Sequence, residues 1–103
     1  MLKLTFYVPI ESKEVVKKAL FAVGAGKIGN YDMCSFETLG YGQFRALIGA
    51  NPTIGKVGEI EIVSEVRVEM VIDDHILLDA ISALKAHHPY ETPAFNVINC
   101  LEV

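Results

Sequence analysis

Between Glu61 and Ile72 the side chains alternate: Ile62, Val66, Val68, Met70 and Ile72 fall on one side, Glu61, Glu65, Arg67 and Glu69 on the other. A period of two held this long predicts a β-strand with one face in a core and the other charged. Such a strand needs partners along its edges, and its apolar face needs helices or a second sheet against it.

The remaining segments supply both. Leu2 to Val8 alternates apolar residues with Lys3 and Thr5 and stops at Pro9, which is a strand followed by a breaker. Ser12 is placed as an N-cap, Val15, Val16, Ala19, Leu20 and Val23 recur at helical spacing, and Gly24 can take the left-handed position after the last turn. Tyr31 to Leu39 alternates again, and Gly40-Tyr41-Gly42 reads as a turn before Gln43 to Ile48, so this strand is expected to form a hairpin there or to carry a bulged extension. Gly49-Ala50-Asn51-Pro52 and Gly55 through Gly58 read as a loop. After Asp73-Asp74, Ile76, Leu77, Ala80, Ile81 and Leu84 mark a second helix, with His87 and His88 in its last turn and Pro89 ending it. Phe95 and Val97 with Cys100, or Ile98 with Leu101, supply a final strand. In order this is β-α-β-(hairpin)-β-α-β. It predicts an α+β, ferredoxin-like (split βαβ) sandwich with an antiparallel sheet, two helices on one face and an extra hairpin extension, as a single domain over 1–103. The second sheet face is then uncovered, and a partner subunit can close it.

Composition points the same way. With 51% apolar and 21% charged residues in a chain of 103, some apolar surface is expected between copies, as a homo-oligomer. Nine Lys and Arg, scattered rather than grouped, against thirteen acids and with a net charge of -4 offer no basic patch for a phosphate backbone, so no nucleic-acid partner is expected. Cys34 and Cys100 lie far apart with no C-x-x-C spacing and read as thiols of a reducing compartment. There is neither a signal-type N-terminus nor an apolar run of about eighteen residues, which predicts a soluble, cytoplasmic protein with no membrane partner.

Two glycine motifs are discounted. Gly24 to Gly29 matches G-x-G-x-x-G but follows a helix instead of opening one, so no helix dipole would meet a pyrophosphate. Gly49 to Val57 mimics a P-loop with one residue too many and valine where a magnesium-binding hydroxyl belongs. Glu65, Arg67 and Glu69, with Arg45 and Glu37 on neighbouring strands, form either a salt-bridge ladder or, through Arg67 or Arg45, a contact to a small anion. No nucleophile–base order can be assigned, and no catalytic residue is named. The segment Ala86-His87-His88-Pro89-Tyr90-Glu91-Thr92-Pro93 concentrates the remaining chemistry. Adjacent histidines cannot share a helix face, so a metal would use one of them, His88 or His87, with Glu91 and take a third ligand from elsewhere, such as Cys34, Glu69 or another chain. Copper or zinc would suit those ligands. The competing reading is a packed corner, with a histidine capping the helix and Tyr90 hydrogen-bonded.

His88-Pro89-Tyr90-Glu91-Thr92-Pro93 resembles the HPYE-x-P signature shared by CutA proteins and the insertion domain of the Nif-three-like (YqfO-type) family. Gly26 to Asp32, Cys34-Ser35-Phe36, Gly40 to Arg45, Gly49 to Pro52 and Glu65 to Glu69 extend the resemblance to that insertion domain over nearly the whole chain. The resemblance implies a CutA-like, PII-like fold, often assembled as a trimer with its sheets turned inward. It implies a non-enzymatic ligand-sensing module with a cleft between subunits, near the end of the second helix and the glycine-rich loops. Tyr90, Arg45, Arg67, Glu69 and Asn51 are the candidates to line that cleft. Alternatives are a CutA-type copper or zinc protein resting on His88, Tyr90 and Glu91, or an accessory domain working in trans with a Nif-three-like dinuclear-metal hydrolase, whose own metal ligands match no residue here.

Overall fold

In the computed structural model, which describes Met1–Val103, the long alternating strand is β3 (Ile60–Ile72), and it is paired along both edges. On one side lies β1 (Leu2–Pro9), antiparallel, in a register that sets Leu4 against Met70, Phe6 against Val68 and Val8 against Val66. On the other lies β2 (Phe36–Arg45), also antiparallel. A short β4 (Phe95–Asn99) pairs with the free side of β1, giving the order β2-β3-β1-β4. The two helices, α1 (Lys13–Ala22) and α2 (Leu77–His87), each follow a single 3-10 turn, and they pack on each other.

The core is the apolar row of each strand meeting those helices. Leu4, Phe6 and Val8, with Val66, Val68, Met70 and Ile72, close on Val16 and Leu20 of α1 and on Ala80 and Leu84 of α2. Burying each of the larger of these side chains contributes about 1.5–3 kcal/mol. Of the α1 stripe predicted from spacing, Val16 and Leu20 are buried while Val15 is exposed. Ser12 occupies the N-cap of α1 but its side chain makes no capping bond. Instead α1 is tied to the sheet by Lys13 and Lys17, whose ammonium groups both donate to Glu37 on β2. The Lys13 and Lys17 contacts hold the Glu37 carboxyl below the usual range despite its partial desolvation.

Three sequence expectations change. Gly40-Tyr41-Gly42 is no turn: β2 runs straight through it, with Gly40 opposite Glu65, Tyr41 opposite Ser64 and Gly42 opposite Val63. The glycine at 42 is explained by its neighbour, because a Cβ there would overlap the Glu65 carboxylate. The predicted hairpin extension is real but differently made. Residues 60–64 of β3 and 41–45 of β2 pair only with each other and project beyond β1 as a two-stranded ribbon closed by the loop 46–59. The chain is accordingly elongated, 46 × 24 × 24 Å. The strand expected from Tyr31 begins only at Phe36, because residues 23–35 form a loop pinned to the sheet: Gly26 N–H donates to Val71 O at 2.8 Å, and Cys34 N–H donates to Gly26 O at 2.9 Å. No helix is long and apolar enough to cross a membrane.

Gly26 has φ +78°, and a Cβ there would stand 2.7 Å from the Cys34 carbonyl oxygen, a backbone atom that cannot step aside. Gly26→Ala should therefore lower the unfolding free energy by about 2 kcal/mol. A urea titration showing the parent midpoint, with slope unchanged, would show that the loop is not held this way.

Candidate functional site

Pro89 forces the residue before it out of the helical region, and His88 accordingly ends α2 in an extended conformation, φ -71° and ψ 136°. That turn swings the imidazole under the corner, where it is only 6% exposed. Nε2 lies 2.6 Å from Tyr7 O on β1, and Nδ1 lies 3.1 Å from Tyr90 N. The Tyr90 N–H can only donate, so Nδ1 accepts, and the ring proton sits on Nε2 and is given to the Tyr7 carbonyl. The ring is neutral in this arrangement. Desolvation lowers its pKa, against the smaller raising effects of the Tyr7 bond and the Glu65 charge.

From this anchor the corner reaches three other places. The Tyr90 phenol donates to Glu65 Oε2 at 2.8 Å, and burial with the Glu65 contact pushes the phenol well above its ordinary range. Glu91 Oε2 accepts from Asn51 N–H at 3.1 Å. Thr53 Oγ1 donates to the Pro89 carbonyl at 2.7 Å. The Tyr90 ring also stands 5.0 Å from His88 and 6.0 Å from Phe44, between centroids. Loop 46–59 is thus held against the corner by two hydrogen bonds, and the corner is held to β1 and β3 by three, the third being Tyr7 N–H donating to Ala94 O at 3.3 Å.

Between them lies a slot of about 750 Å³ on the sheet face away from the helices. Its floor is β2 at Thr38, Gly40 and Gly42, with Arg67 and Glu65 of β3 and Tyr7 of β1. Its walls are Phe44, Tyr90 and the loop at Pro52 to Ile54. Of the residues expected at a cleft, Tyr90, Arg45 and Arg67 line this slot. Asn51 reaches Glu91 at its edge through its backbone N–H. Glu69 lies outside, 3.6 Å from Lys3 and 3.4 Å from Arg67 Nε, beside a smaller hollow of about 270 Å³.

The proposed metal set does not assemble. His88 spends both ring nitrogens on the backbone, His87 Nδ1 donates to Ala83 O at 3.0 Å on the exposed end of α2, and Glu91 holds the loop. Cys34 lines the smaller hollow with Lys3 and Phe36. Nowhere do three His, Cys, Asp or Glu side chains group as ion ligands. Tyr7, Thr38 and Phe44 were not singled out from the sequence, although the alternation that buries Phe6 and Val8 already turns Tyr7 to the opposite face. Thr53 carried no signal at all.

No family model matches the chain. Over 95 residues, 92% of its length, it is 47% identical to the GTP cyclohydrolase 1 type 2 homolog of Mycobacterium tuberculosis. To the Bacillus subtilis protein of the same name it is 46% identical over the same share. It spans about a quarter of these relatives, 25% and 26%. Among solved structures it superposes on a Bacillus cereus protein related to NIF3 with TM-score 0.80 at 38% identity, covering 93% of this chain and 24% of that one. On CutA1 from Pyrococcus horikoshii the TM-score is 0.72 at 21% identity, covering 100% and 86%. The second likeness establishes the fold, a CutA-type ferredoxin-like sandwich.

A folded imidazole kept neutral, against an unfolded one titrating near 6.5, means the unfolded chain takes up the proton first as pH falls. The stability His88 provides is therefore complete above pH 6.5 and lost as pH falls toward its depressed folded value. Lowering the pH from about 7.5 to about 5.5 should reduce the parent urea midpoint, while His88→Gln should start about 2 kcal/mol less stable and show a flatter pH slope. His87→Gln should change neither. A parent-like slope in the His88 variant would remove the imidazole from this role.

Proposed function

Since the chain belongs to the Nif-three-like family, as the counterpart of about a quarter of its curated members' length, we propose that it is a non-enzymatic, oligomeric binding module, most simply a trimer, holding a small ligand in the slot. The observation that carries this reading is the slot itself, about 750 Å³, concave, mixed in polarity and walled by a corner that its own hydrogen bonds fix in place. The slot lies beside the end of α2 and the loop 46–59, on the sheet face that no helix covers.

The case for several copies rests on the ribbon. Its other face lies beyond the helices and leaves Leu39, Tyr41, Ile60 and Ile62 bare, with Tyr41 83% exposed. β2 and β4 also present unpaired edges. A neighbouring copy would cover both liabilities at once. The absence of a catalytic role is supported by His88, whose nitrogens are spent in hydrogen bonds and cannot serve as a base. Both cysteines are free, which supports a reducing cytoplasm. A second reading follows from the relatives' lengths: the module works beside domains like those making up the other three-quarters of its relatives, acting in trans. Recovery of such a partner by affinity capture from the source cells would favour it.

Sedimentation at micromolar concentration should give the mass of three 11.3 kDa chains. Ile62→Glu, which places a charge on the bare strip without touching the core, should shift the population to monomer. A parent chain that sediments as a stable monomer overturns the oligomeric reading.

A further inference from the structure

Tyr7, Arg67 and Thr38 form one row across three strands, since Tyr7 pairs with Arg67 in the β1–β3 register and Arg67 with Thr38 in the β3–β2 register. All three line the slot. With strands about 4.8 Å apart, a row of three spreads its side chains over roughly 10 Å of one face. Its donors are unspent. Neither the Tyr7 nor the Thr38 hydroxyl makes a hydrogen bond within the chain. The one ion pair of Arg67 uses Nε, 3.4 Å from Glu69, which leaves both terminal amino groups. Of the acids on either side, Glu65 is engaged by the Tyr90 phenol at 2.8 Å, and Glu69 divides its carboxylate between Arg67 Nε at 3.4 Å and Lys3 at 3.6 Å. Next to the row, Gly40 leaves open space where any other residue would place a side chain, and beyond it stand Phe44 and Tyr90.

We infer that the slot takes a small molecule with an oxyanion head, carboxylate or phosphate, seated on Tyr7, Arg67 and Thr38, and a flat apolar body laid over Gly40 toward Phe44 and Tyr90. The inference rests on the binding reading above and adds the chemistry of the ligand. Two hydroxyls flanking a guanidinium supply donors that match an oxyanion, and a guanidinium at the centre of the row repels a cationic head. A side-chain-free floor beside aromatic walls accepts a ring and gives a bulky branched body no depth.

The test is an amide-resonance titration of the isotope-labelled chain with phenyl phosphate, benzoate, benzamidine and inorganic phosphate. Phenyl phosphate and benzoate should move the Gly40, Arg67 and Tyr90 amides, and the tighter of the two names the head. Inorganic phosphate, lacking the body, should bind at least about tenfold more weakly, and Arg67→Gln should weaken the better aromatic anion about tenfold or more. Gly40→Val, a residue suited to a strand with open space above it, should retain the folded spectrum and lose the aromatic ligands. If benzamidine moves the slot amides and the anions do not, or if Arg67→Gln binds as tightly as the parent, the oxyanion assignment is overturned and the binding reading stands. If no probe moves them, both fall.

Discussion

The register of β3 is the constraint on which everything else depends. One alternation sends Val66, Val68, Met70 and Ile72 toward the helices and Glu65, Arg67 and Glu69 to the open face. A slip of one residue would drive Arg67 into the core and bring Val68 to the surface, which is prohibitive because an unpaired charge would be buried. The core and the slot are therefore not separately specified. Whatever fixes the packing of Phe6 against Val68 also fixes the spacing of Tyr7, Arg67 and Thr38.

The corner 88–94 adds what the sheet alone lacks. It contains no helix or strand, so its backbone groups need side-chain partners, and the His88 ring accepts from the Tyr90 N–H while its other nitrogen donates across to Tyr7 O of β1. The same ring positions Tyr90, which positions Glu65, which occupies the notch left by Gly42. A segment that concentrates titratable side chains in the sequence braces the corner in the structure.

Much of this was legible in the residue order. β1, β3 and α2 announce themselves because one face of each is apolar at the correct period, and the breakers Pro9 and Pro89 stand where the elements end. Gly40-Tyr41-Gly42 misled because glycine signals a turn only when the backbone needs it. At Gly42 the need comes from the Glu65 side chain on the adjacent strand, and no local rule reports that. The placement of His88 was hidden for a related reason: residue types at a spacing do not tell which way an imidazole points, and burial turned this one inward, away from His87. Asn51 contributes through its backbone N–H, so its side-chain identity could not have revealed that role.

The projecting ribbon deserves to be considered as a lever. Its strands have one partner each, so it is the part of the sheet with least to hold it straight. The loop that closes it is tied to the corner through Asn51 and Thr53. Anything that tightens the slot restrains the ribbon's far end, and anything that clasps the ribbon from outside stiffens the slot's wall. By thermodynamic reciprocity, a ligand that tightened the slot and a contact that clasped the ribbon would favour each other to the same degree.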